Sequence, residues 1–182
     1  MPIPFRDHSD VEDLGLAGYL RFVDEDDGKG LRGALFLVNG RGEPADFCFS
    51  RVDVPASFLW RAGEARRHAV RALCGALFSA CAREPALLLA RVDEVPPLVF
   101  AEDLEVHLPI ARVADGTAAA PVQAAVEVSE ELGEALHVFW MGEPPKAESP
   151  ARRLFDALSG RGLAVEPFER AAVGLEEAFA SP

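Results

Sequence analysis

Residues Phe58–Arg83 read FLWRAGEARRHAVRALCGALFSACAR, and the fold is decided here. Val70, Leu73, Cys74, Leu77, Phe78 and Cys81 recur at steps of three and one, the spacing of a single face of an α-helix. Arg66, Arg67, His68 and Arg71 fall on the opposite face, giving the one concentrated basic surface of an acidic chain. Ser57 can cap the start, Ala62-Gly63 marks a point of weakness, and Pro85 closes the segment. A helix this amphipathic needs an apolar sheet to lie against.

The residues before it supply one. Leu14–Val23 and Leu31–Val38 are apolar runs separated by an acidic, glycine-containing loop, and Asn39–Gly42 is a turn with two glycines. Asp46–Val54 alternates Phe47, Phe49, Arg51 and Asp53 against Cys48, Ser50, Val52 and Val54. Three strands on short turns predict an antiparallel meander. Beyond the helix, Ala86–Val92 is almost wholly apolar, the pattern of a buried strand inserted by a crossover. Leu98–Phe100 and Leu104–Val113 carry short strand-like patterns around Pro96-Pro97.

The expected fold is therefore α+β: an antiparallel three-strand meander, the long amphipathic helix and a further strand, making a sheet of about five strands. Residues 1–113 form this core domain, and 122–182 form a C-terminal mixed or helical region, either separate or part of the same core. Ala114–Pro121 is the bland linker between them. Val122–Val128 and Ala135–Met141 read as a hairpin, with a short helix over Ser129–Leu136 as the alternative. Ser149-Pro150 starts a helix to about Leu158, and Pro167 opens a last one to about Phe179.

Composition bounds the function. With 182 residues, 49% of them hydrophobic, the chain can bury a substantial core. A net charge of −12 repels nucleic acid and anionic membranes as a whole, so either could be bound only through a local basic patch. Cys48, Cys74 and Cys81 make an odd set without a CxxC, which argues against a disulfide framework. Cys74 and Cys81 would sit roughly 10 Å apart along the helix axis, too far to bridge. The N-terminal stretch lacks the basic start and apolar core of a signal peptide, and no apolar run is long enough to span a membrane, so the expectation is a cytoplasmic protein.

Motifs for chemistry are few. The acidic run Asp24–Asp27 fails as a calcium loop, because Lys29 and Leu35 occupy the sixth and twelfth places. His8, His68, His107 and His137 are scattered without zinc spacing, and neither GKG nor GRG extends to a phosphate loop. From Arg61 to Arg71 four arginines face one glutamate. Arg61, Arg66, Arg67 and Arg71 could grip phosphates or an acidic protein, or pair with local acids such as those at 24–27. Trp60 and Trp140 are candidate anchors if exposed.

These readings favour a non-catalytic accessory subunit that docks on a larger protein partner, without metal or cofactor. A reading from another class comes from element order. Three antiparallel strands, a helix and a fourth strand resemble the opening of ribonuclease H-like nucleases, over about half the chain. That resemblance implies two divalent cations, Mg2+ or Mn2+, held by carboxylates of the first strand, the first helix and the end of the fourth strand. The matching positions are Asp24, Glu64 and Asp93, with Asp156 as a fourth.

Overall fold

A computed structural model describes residues 9–115, 126–131 and 134–180 of the chain. Seven strands form one sheet: β1 (Ala17–Asp24), β2 (Gly30–Val38), β3 (Pro44–Asp53), β4 (Leu87–Arg91), β5 (Ile110–Asp115), β6 (Val126–Glu131) and β7 (Glu134–Trp140). Their spatial order is β3-β2-β1-β4-β5-β7-β6. The helices are α1 (Glu64–Ala80), α2 (Pro150–Ser159) and α3 (Glu166–Ala180). No helix among the described residues is long and apolar enough to cross a membrane.

The sheet is mixed, which corrects the expectation of an antiparallel-led sheet of about five strands. β1 pairs antiparallel with β2 (Tyr19 opposite Phe36) and β2 with β3 (Leu35 opposite Cys48). β4 then enters parallel to β1, and β5 parallel to β4. The cause is the crossover through α1: a helix between two strands returns the chain to the same end of the sheet, so the next strand must run parallel. β7 pairs antiparallel with β5 and with β6, adding the remaining strands to the same sheet.

Helices cover both faces. On one, Ala69, Val70, Leu73, Cys74 and Leu77 of α1 bury against Leu20, Leu35, Leu37 and Leu88. Leu73 lies so close to β2 that a Cβ added at Gly33 would come within 2.6 Å of its Cδ2. On the other face, α2 and α3 bring Leu154, Phe155, Leu158, Phe168 and Ala171 onto Tyr19, Leu89, Val113 and Val138. Residues 134–180 thus share the sheet and core of the first half.

Two local expectations change. α1 starts at Glu64, not Phe58, because Gly63 adopts a left-handed φ of +82° that ends helical geometry there. Phe58 and Leu59 are consequently left 84% and 75% exposed instead of lining the helix. Leu98–Phe100 belongs to a helical turn, not a strand, as Pro96 and Pro97 accept the N–H groups of Val99 and Ala101 at 3.1 and 3.2 Å; proline is well placed at the start of such a turn. The tail of the 114–121 linker and the first residues of the expected 122–128 strand fall outside the described residues.

Candidate functional site at the ends of β1 and β4

β1 and β4 run parallel, so their carboxyl ends meet at one edge of the sheet, and α1 begins beside that edge. Acids and arginines alternate there. Asp24, the last residue of β1, is half-exposed and accepts a hydrogen bond from Arg66 Nη2 at 3.0 Å. Arg66 Nη1 donates at 3.0 Å to the main-chain carbonyl of Glu94, just past β4. One guanidinium therefore ties the end of the first strand to the end of the fourth.

Glu64 opens α1 with its carboxylate 3.6 Å from Arg67 Nη1. Arg67 mainly grips Asp103, through Nε at 2.6 Å and Nη2 at 2.7 Å, and also reaches Glu102 at 2.9 Å. That fork holds the Asp103 carboxyl below the usual carboxylate range. Trp60, Glu64, Arg67, His68, Arg71 and Asp103 line a shallow recess of about 150 Å³. Trp60 stacks on His68 with ring centroids 5.0 Å apart. Arg61 and Arg71 are exposed. The fold thus gathers Trp60, Glu64, Arg67 and Arg71 in one recess, with Arg66 and Asp24 on the same edge.

Asp93 faces Arg91, whose Nε donates to it at 3.1 Å. Asp156 sits on α2, on the sheet face opposite α1, paired with Arg152 at 2.9 Å. Trp140 is not an anchor: it is buried, edge-to-face on Phe155 at 5.4 Å, because it ends a strand whose inward face carries Leu136 and Val138.

Glu94 is the residue at this edge that motif reading passed over. It is buried, forms an ion pair with Arg21 in the middle of β1, and lies 3.4 Å from Arg91. Its Oε2 accepts the Phe22 N–H at 2.8 Å. Arg112 of β5, 3% exposed, donates to the Val92 carbonyl at 2.9 Å. Burial pushes the pKa of both Arg21 and Arg112 down, and Arg91 adds to the effect on Arg21. A signal existed: an arginine inside the apolar run LGLAGYLRFV demands a buried partner.

A pair of cations about 4 Å apart needs several carboxylate oxygens converging on it. Asp24, Glu64, Asp93 and Asp156 do not supply that set as placed. Each faces an arginine, and among the described residues no three of their ligand atoms gather within 4.8 Å.

No family model matches the chain, and no curated protein matches it in sequence. Solved structures do match its fold. Endonuclease V from Streptomyces avermitilis superposes with a TM-score of 0.59 at 12% identity, covering 91% of this chain and 82% of that one. Endonuclease V from Bacillus subtilis gives a TM-score of 0.57 at 10% identity, covering 91% and 80%. The class these matches define is a mixed α/β fold of the endonuclease V type. They correct the expectation of an accessory subunit, which rested on the lack of catalytic motifs: the same absence is compatible with a fold that two nucleases use at identities this low.

Proposed function

We propose that the protein acts on nucleic acid as a nuclease, with the substrate strand lying along the carboxyl ends of β1 and β4 and the first turns of α1. The observation that carries this reading is the Asp24–Arg66–Glu94 bridge, an acidic and basic edge at the strand ends of an endonuclease V-type fold. Arg61 and Arg71 provide exposed cations for phosphates in a molecule otherwise repelled by them. Asp24, Glu64 and Asp93 stand at the end of β1, the start of α1 and just past β4, and the Asp24–Arg66 pair is exposed enough to exchange for phosphate at little cost.

A second reading, recognition without hydrolysis, is favoured by one specific feature: the carboxylates are paired to arginines and not gathered. A cleavage assay separates the two. Single- and double-stranded DNA and RNA are incubated with the protein in Mg2+ or Mn2+, beside Asp24→Asn, Glu64→Gln and Asp93→Asn variants. Cleavage by the parent that these variants lose by at least tenfold supports the nuclease. Binding with no cleavage selects the second reading. Neither binding nor cleavage overturns both.

A further inference from the structure

At the other end of α1 from Glu64 lies a cluster that no part of this reading uses. Asp46 and Cys48 stand two apart on β3, and so on one face of that strand. Cys81 is the first residue past α1, its N–H still bonded to the Leu77 carbonyl at 3.0 Å while its backbone turns extended. One ligand atom from each of the three side chains lies within 4.8 Å of the other two. All three cysteines of the chain are free thiols.

We propose that Asp46, Cys48 and Cys81 form a binding site for a thiophilic divalent cation of the Zn2+ type, with one coordination position left open. Tetrahedral zinc with thiolate bonds of about 2.3 Å and carboxylate bonds of about 2.1 Å places its ligand atoms roughly 3.5 to 3.8 Å from one another. The observed ligand atoms, all within 4.8 Å of one another, approach that spacing. Two sulfurs select zinc over magnesium or calcium, and the carboxylate completes a three-ligand set. Cys81 also borders a cavity of about 430 Å³ whose other walls include Phe78, Arg83, Glu84, Glu105 and His107. The open position therefore has room for water or a small ligand.

The cluster differs from a redox pair in having Asp46. An anionic carboxylate beside two thiols opposes thiolate formation unless a cation is present, whereas a reactive pair needs positive surroundings. A cation here also clamps edge strand β3 to the end of α1, so binding raises the melting temperature.

The full-length, reduced, metal-free protein is titrated with Zn2+ against a chromophoric chelator, and with Co2+ while the thiolate charge-transfer and visible bands are recorded. One equivalent of Zn2+ is expected, with a tetrahedral cobalt spectrum and a rise in melting temperature of several degrees. Cys48→Ser and Cys81→Ser each lose at least tenfold in affinity and the near-ultraviolet cobalt band. Asp46→Asn keeps the band with weaker binding, and Cys74→Ala binds as the parent does. Metal-free melting curves establish that each variant folds. No stoichiometric binding, unchanged binding in both serine variants, or conversion to a Cys48–Cys81 disulfide that forms equally fast with Zn2+ present overturns the site.

Discussion

Arg21 and Glu94 form an ion pair across the join of β1 and the turn after β4, with the Glu94 side chain 8% and the Arg21 side chain 25% exposed. Removing one partner of such a pair strands a charge in a poorly solvated place. Glu94→Ala should therefore destabilise the fold by about 2–4 kcal/mol, somewhat less than a fully buried pair because Arg21 keeps some water. Glu94→Gln retains an acceptor for the Phe22 N–H and should cost less. Chemical denaturation of the two variants checks the order.

Arg66 tests the opposite case. Its bond to Asp24 is half-exposed on both sides, so Arg66→Ala should change stability by about 0–1 kcal/mol. Its effect on nucleic-acid binding should be larger: a weaker complex, and a slope of log affinity against log salt reduced by about one. Fluorescence anisotropy across a salt series reads both. Lower stability with an unchanged slope would make Arg66 a structural tie alone.

Glu25 carries the pH dependence. Its carboxylate accepts from Arg51 Nη2 at 2.8 Å and from Arg51 Nε and Arg32 Nε at 2.9 Å. Arg51 first, and Arg32 after it, hold its pKa down to about 2. A folded-state value below the unfolded one of about 4.3 means a contribution fully present above pH 5 and lost as pH falls through 2. The melting-temperature difference between the parent and Glu25→Gln should be constant from pH 7 to 5, shrink below that, and level off only once the pH is below 2. High salt should narrow it throughout, since these groups border solvent.

How much of this was legible depends on sequence range. The α1 face, the β1–β2 loop and the Ser149-Pro150 helix start are local patterns of period, turn and cap, and could be read directly. Whether Asp24, Glu64 and Asp93 approach one another depends on strand order and side-chain direction, which no spacing encodes. The Asp46, Cys48 and Cys81 cluster is the sharpest instance. Cys81 falls on the apolar helical stripe in sequence, yet the helix ends one residue earlier and turns its sulfur toward β3. Arg21 was visible as an anomaly in an apolar strand, but its partner lies beyond β4 and becomes a neighbour only through the parallel pairing.

Gly33 tests the packing that sets α1 on the sheet. It faces Leu73 with no space for a methyl group: an added Cβ would meet Leu73 Cδ2 at 2.6 Å, Leu73 Cγ at 2.9 Å and Phe22 Cδ1 at 3.2 Å. Leu73 is fully buried and cannot swing into solvent, so either the helix or the sheet must give. Gly33→Ala should cost about 1–3 kcal/mol, the usual range for overpacking a core. Because α1 carries Glu64, Arg66 and Arg67 at one end and leads to Cys81 at the other, the shift should reach both ends. Loss of stability with unchanged nucleic-acid and Zn2+ affinity would mean that the sheet absorbs the methyl group. Loss of all three would mean that α1 moves as a rigid rod, and that the contact between Gly33 and Leu73 sets the position of both sites.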